Sequence, residues 1–217
     1  MTRLTWLQPG DPPEAFPPLS RALEDPPGLL AGGGDLSPGR LVAAYARGIF
    51  PWYSPGEPVL WWSPDPREVL FPSEIHISRS LRKVIARGGY HVTQNRDFSA
   101  VIENCATARA GSTGTWITPQ MREAYRELHR LELASSIEVW EGQELVGGLY
   151  GVRSGRVFCG ESMFSRRDNA SKVALAWLAG HCPAWGVELI DCQMPSAHLR
   201  SMGSRPLPRA EFVRYLI

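Results

Sequence analysis

An aspartate and a glutamine one residue apart, Asp191 and Gln193, close an otherwise apolar stretch, Leu189-Ile190-Asp191-Cys192-Gln193. Read as a strand, alternation puts Asp191 and Gln193 on one face and Ile190 and Cys192 on the other. A carboxylate beside an amide, on a sheet face expected to be apolar, has two explanations. It is a strand-end pair bonded to nearby backbone, or a carboxylate that orients an amide within a reaction centre. A second carboxylate, Glu161, lies in Phe158-Cys159-Gly160-Glu161-Ser162-Met163-Phe164-Ser165. There Gly160 permits close backbone approach, and Glu161 reads as a cation receptor or a solvated turn residue. Ser162 and Ser165 lack a Gly-x-Ser-x-Gly context, so a nucleophilic serine has little support.

Two further groups suggest a nucleic-acid partner. Arg79, Arg82, Lys83 and Arg87 follow helical spacing with no acidic residue between them, so they share one face. Such a face is commonly only solvated, yet four cations on one ridge also suit a phosphate backbone. Arg166-Arg167 and Arg200, Arg205 and Arg209 add candidate contacts. Of eight tryptophans, Trp140, Trp177 and Trp185 fall in patterns that point to a core, whereas Trp52 and Trp116 sit in loops where an indole can stack on a base.

The whole chain of 217 residues is near neutral at +1, which excludes a polybasic coat and an acidic disordered tail. With 43% hydrophobic residues it can build a core without a disulfide or a metal. Its four cysteines, at 105, 159, 182 and 192, show no CxxC spacing, which argues for reduced thiols and against a zinc site. The N-terminus is proline-rich without a signal-peptide pattern, and the most apolar run, Val173 to Ala179, is too short to span a bilayer. A cytoplasmic protein is expected.

The elements that must position these groups fall into two units. Thirteen of the 19 prolines lie at or before Pro66, which suggests a small loop-rich N-terminal domain over 1–66 and a larger domain over 67–217. The first has one clear helix, Leu36 to Arg47, with Ser37 as its N-cap and proline-punctuated aromatics after it forming a stiff surface. In the second, helices are expected over 78–87, 97–108, 118–131, 169–185 and 208–217. Strands are expected over 90–95, 137–140, 144–152, 155–161 and 187–193, with short connections that favour antiparallel hairpins. The class is α+β with a largely antiparallel sheet.

Several runs, in order, resemble the leucyl/phenylalanyl-tRNA–protein transferase family of bacteria. They are Arg47-Gly48-Ile49-Phe50-Pro51-Trp52, Leu60-Trp61-Trp62-Ser63-Pro64-Asp65-Pro66-Arg67, Gly114-Thr115-Trp116-Ile117-Thr118, Ser136-Ile137-Glu138-Val139-Trp140, Gly160 to Ser165, and Leu189 to Gln193. The resemblance implies an acetyltransferase-like (GNAT-like) mixed-sheet larger domain. It implies transfer of Leu, Phe or, less efficiently, Met from a charged tRNA to the N-terminal Arg or Lys of a protein, marking it for degradation. No cofactor, metal or membrane is implied. By the same resemblance Asp191 and Gln193 line the reaction centre, Glu161 lies near the acceptor's cationic residue, and Trp52 and Trp116 hold the terminal adenosine. The donor side-chain pocket would comprise Leu149, Phe158, Leu175, Leu178, Cys182 and Ile190, and Arg79, Arg82, Lys83 and Arg87 would meet tRNA phosphates. Leu178 and Cys182 are smaller than the aromatics associated with the family, and Ser196 stands where an Asn is familiar, so Leu and Phe both stay open as preferred donor. The alternatives are a CoA-dependent acetyltransferase, although residues 165–171 lack a glycine-rich pyrophosphate loop, and a non-catalytic RNA-binding module.

Overall fold

The structure, a computed structural model, describes residues 4–110 and 115–217. The N-terminal segment builds a four-stranded sheet from β1 (Thr5–Leu7), β2 (Leu29–Gly33), β3 (Phe50–Pro51) and β4 (Leu60–Trp62), in the order β1-β2-β4-β3. This is more regular than the loop-rich unit the prolines suggest. Its strands are two to five residues long, and Pro51 sits on an edge, where its missing N–H costs no ladder bond. The aromatics after the helix divide between inside and outside. Phe50, Tyr53 and Trp61 are core residues, and the Trp61 indole N–H donates to the Gly33 carbonyl at 2.9 Å, while Trp52 is exposed.

Helix α1 (Pro38–Tyr45) begins after Ser37, whose hydroxyl makes no cap bond; the Ser37 backbone N–H instead donates to Asp35 Oδ1. The chain leaves α1 through Gly48 at φ +73°, where a Cβ would meet the Phe212 ring at 2.9 Å. Only glycine satisfies both the turn and the approach of the C-terminal segment.

The larger sheet holds β5 (Arg67–Leu70), β6 (His91–Gln94), β7 (Ala134–Glu141), β8 (Glu144–Ser154), β9 (Val157–Ser165), β10 (Leu189–Gln193) and β11 (Arg205–Leu207). Their order is β11-β5-β10-β9-β8-β7-β6, and every neighbouring pair is antiparallel except β9 and β10. Helices α2 (Arg79–Ala86), α3 (Phe98–Ala110), α4 (Pro119–Arg130), α5 (Ala170–His181), α6 (Ala197–Ser201) and α7 (Arg209–Phe212) complete the α+β fold. Helices α1, α3 and α4 share one core with the N-terminal sheet, so apolar packing runs across residue 66; α2 and α5 pack in a second core on the other face. Gly147 lets α5 settle onto β8, because a Cβ there would come within 2.5 Å of the Ala170 Cβ.

Two expected helices are shorter. Pro183 cannot donate an i→i−4 bond, so α5 ends at His181 and passes into a 3-10 turn over Cys182–Trp185. The terminal helix splits into α7 and a 3-10 turn, Val213–Tyr215. By contrast, α2 and α4 start where expected, and Ser78 and Thr118 cap them through their side-chain oxygens. Among the described residues no helix is long and apolar enough to cross a membrane.

Candidate active site

Strands β9 and β10 pair in register only from Leu189↔Val157 to Asp191↔Cys159. Beyond that point β9 continues to Ser165 while β10 stops at Gln193, and the two part. A cavity of about 1030 Å³ opens there, lined by Gly160 to Ser165 on one side and Asp191 to Ser196 on the other. Parting a parallel pair in mid-sheet leaves side chains, rather than ladder bonds, to satisfy the gap.

Glu161 and Gln193 face each other across it. Gln193 Nε2 donates to Glu161 Oε1 at 2.7 Å, and the Tyr125 hydroxyl donates to Glu161 Oε2 at 2.9 Å. Tyr125 is in turn hydrogen-bonded to Tyr45, so helix α1 closes the chain of bonds. Glu161 is thus inside β9, neither a strand-end residue nor a solvated turn. Burial lifts its carboxyl to about 7; the bonds from the tyrosines and Gln193 oppose this, and Asp191 reinforces it. Burial also pushes both tyrosine hydroxyls well above their ordinary value, with Glu161 adding to it. They therefore stay protonated and act as donors.

Asp191 occupies a different place from the one simple alternation suggests. The pairing of β10 with β5 is irregular between Asp191 and Gln193, and Gln193 has φ 61°. Strict alternation fails at this bulge. The Asp191 carboxylate is fully buried and accepts two bonds from Arg67, Nε to Oδ1 at 2.8 Å and Nη2 to Oδ2 at 2.7 Å. Oδ1 also accepts the Gln193 backbone N–H at 2.8 Å. Its charge is thus matched inside the protein, at the wall of the cavity, and its bond to the Gln193 N–H links it to the amide. Arg67, Tyr45 and Tyr125 carried no local signal as site residues: each is joined to the site by contacts spanning 36 to 124 positions.

Trp52 and Trp116 both line the cavity, as do Leu149, Leu175, Leu178 and Ile190. Trp52 packs against Trp62 with ring centroids 5.4 Å apart and is 39% exposed. Phe158 and Cys182 depart from the expected pocket. They do not line the cavity and pack in the core behind it. Phe158 precedes the point where the strands part and is paired across from Ile190, and Cys182 belongs to the turn after α5. Ser196 lines the cavity and caps α6 by accepting from the Leu199 N–H. The basic face of α2 lies outside the cavity. Arg79, Arg82, Lys83 and Arg87 are all exposed, and no carboxylate pairs with them among the described residues.

No disulfide joins the four cysteines, and burial raises the thiols of Cys159 and Cys192 and pushes that of Cys182 up to about 12. None of these three is poised as a nucleophile. No group of three or more metal-ligating side chains occurs among the described residues. At the start of α5, the Ala170 N–H is taken by the Arg167 carbonyl and the Ser171 N–H by Ser165 Oγ. Those two amides are therefore not open to a pyrophosphate.

Comparison with known proteins places the chain in a family. The protein-family model for leucyl/phenylalanyl-tRNA protein transferase matches residues 69–217, and the model for that family's N-terminal domain matches residues 34–65. The chain belongs to this family. A curated leucyl/phenylalanyl-tRNA–protein transferase of Ectopseudomonas mendocina (strain ymp) is 59% identical over 213 residues, 98% of this chain and 93% of its own length. One of Azotobacter vinelandii is 59% identical over 94% of this chain and 90% of its own length. One of Pseudomonas aeruginosa PAO1 is 58% identical over 98% and 93%. Among solved structures, the chain is similar to a GCN5-related N-acetyltransferase from Kribbella flavida, with TM-score 0.42, 12% identity, and coverage of 78% of this chain and 60% of that one.

Proposed function

We propose that this chain moves Leu or Phe, and less efficiently Met, from aminoacyl-tRNA to the N-terminal Arg or Lys of a protein in the cytoplasm, creating a signal for degradation. The observation that carries this reading is one continuous cavity that joins a carboxylate-anchored amide, Gln193 on Glu161, to two tryptophans and a set of aliphatic side chains. Trp52 and Trp116 hold the terminal adenosine, and Leu149, Leu175, Leu178 and Ile190 receive the donor side chain. Arg79, Arg82, Lys83 and Arg87 carry tRNA phosphates. Residues 1–66 and 67–217 act as two units closed over one site.

The amino acid on a tRNA is an activated ester, so attack by an amine runs downhill. The α-amine of the acceptor forms a C–N bond to the ester carbonyl carbon, the C–O bond to the terminal ribose breaks, and the ribose oxygen leaves with a proton. An α-amine has an ordinary pKa of about 7.7–8.0, so a useful fraction is already neutral at pH 7. The site must chiefly align the two reactants, which in the best intramolecular cases is worth roughly 7–11 kcal/mol. A carboxylate can only accept, so Glu161 draws the Gln193 NH2 towards itself and leaves Gln193 Oε1 as the acceptor for an amine N–H. Glu161 also supplies negative potential for a cationic acceptor. Asp191 acts at one remove, through the backbone of Gln193.

The test is direct. Purified protein, Phe-charged tRNA and a peptide beginning with Arg should give the extended peptide, while a peptide beginning with Gly should not. Equal labelling of both would defeat the acceptor assignment. Stabilisation by acetyl-CoA, without stabilisation by a puromycin-like aminoacyl-adenosine analogue, would defeat the donor assignment.

A further inference from the structure

Arg67 opens β5, is 1% exposed, and does not line the cavity. Its guanidinium is held between two rings, 4.6 Å from the centroid of Phe50 in the N-terminal sheet and 4.9 Å from that of Phe212 in α7. Two of its nitrogens grip Asp191, and the third, Nη1, is buried with no hydrogen-bond partner among the described residues. For stability alone this is a poor arrangement. A buried ion pair gains little over well-packed apolar side chains of similar volume, and an unsatisfied N–H group adds to the desolvation penalty.

An apolar cluster, however, cannot orient a carboxylate. The fork of Arg67 fixes the plane of Asp191 by both oxygens. In that plane Oδ1 accepts the Gln193 N–H as well as Arg67 Nε, both at 2.8 Å. Gln193 sits at φ 61°, a left-handed conformation that a non-glycine residue keeps only where its surroundings over-determine it. From that conformation its side chain reaches Glu161.

We infer that Arg67 is a positioning residue for transfer: through Asp191 it holds the Gln193 backbone in the conformation that presents the amide to Glu161 and to the incoming amine. Phe50 ties this clamp to the N-terminal sheet, so the seating of that sheet sets the angle of the guanidinium. The inference rests on the reading of Gln193 and Glu161 as groups of the reaction centre.

Two variants test it, each followed by kcat, KM for acceptor peptide and Phe-tRNA, Kd for Phe-tRNA, and thermal unfolding. Arg67→Lys keeps the charge and loses the fork. It should lower kcat about 10²-fold, the order expected for a misplaced reacting group, with Phe-tRNA affinity within about 2-fold of the parent. Arg67→Met with Asp191→Leu removes both charges and leaves no ion unpaired, so it should fold. It should lose kcat to a similar extent, because Gln193 N–H has lost its acceptor. If Arg67 served only stability, folded Arg67→Lys, which keeps Asp191, would transfer at the parent rate. A kcat within about 3-fold of the parent in folded protein of either variant overturns the inference. The underlying reading fails separately: it falls if Gln193→Ala and Glu161→Gln both retain parental kcat, whatever Arg67 does.

Discussion

Gln193 Nε2 lies 2.7 Å from Glu161 Oε1, and this bond decides which end of the amide is available to a substrate. Both Glu161 oxygens are engaged as acceptors, one by Gln193 and one by Tyr125. The ionised carboxylate suits this pattern, whereas a protonated one must turn one oxygen into a donor facing another donor.

Gln193→Met keeps the side chain's length and removes the acceptor oxygen. It should lower kcat about 10²-fold, comparable with loss of an oriented polar group in other active sites, while the Kd for Phe-tRNA stays unchanged. Pre-steady-state transfer beside equilibrium tRNA binding separates the two; an equal fall in both would make Gln193 part of the binding surface instead.

The raised carboxyl of Glu161 makes both rate and stability depend on pH. Below about pH 7 the group gains a proton, and the acceptor amine, with its own pKa near 7.7–8.0, is protonated too. The kcat/KM profile should therefore fall on two groups towards acid, and Glu161→Gln should fall on one. Stability runs the opposite way. A carboxyl lifted from its ordinary 4.5 holds its proton more tightly folded than unfolded. Its stabilising contribution is full below about pH 4.5 and is lost, on the order of 3 kcal/mol, as pH rises through 7. Urea unfolding at pH 5 and pH 8 should show this difference in the parent and not in Glu161→Gln.

Tyr125→Phe removes one donor from Glu161 and breaks the bond between Tyr125 and Tyr45. Losing a bond to the charged form raises the carboxyl further, so the acid limb of kcat/KM should move upward by about one to two pH units, given roughly 1.5–3 kcal/mol for a hydrogen bond to a charge. An unmoved limb would show that the tyrosine acts on packing alone.

The parts of this site that could be read from sequence are those whose signal is local. Ser78 and Thr118 announce helix starts because a cap and its helix are neighbours, and Asp191 stands out because its strand is otherwise apolar. Glu161 and Gln193 could be singled out, but not their contact, because it depends on where β9 and β10 part. The bulge at Gln193 hides in a regular alternation. Arg67, within a run that carries the family resemblance, shows no chemistry until β5 is laid beside β10, and Tyr45 and Tyr125 come from helices 80 positions apart in sequence. The N-terminal sheet was obscured for another reason: its strands are too short to show a period, and their order interleaves residues 5–62.

Trp52→Ala and Trp116→Ala should each weaken donor binding by the roughly 1–3 kcal/mol that an aromatic–base stack supplies, about 5- to 150-fold in KM for Phe-tRNA. Because Trp52 is partly exposed, the first substitution should leave the unfolding temperature nearly unchanged. A minimal substrate, phenylalanyl-adenosine, separates stacking from phosphate contacts: it should lose affinity in both variants.

The cations of α2 predict the complementary behaviour. They are exposed and free of carboxylate partners among the described residues, so removing them costs little stability. If Arg82 and Lys83 each neutralise one tRNA phosphate, Arg82→Ala with Lys83→Ala should reduce the slope of log Kd against log salt by about 1.5 to 2. Transfer from phenylalanyl-adenosine, which has no phosphodiester, should proceed at the parental rate in this double variant. A parental salt slope with intact tRNA would place the phosphate contacts on another face, and a slowed reaction with the minimal substrate would mean that α2 also supports the cavity through its packing on α5.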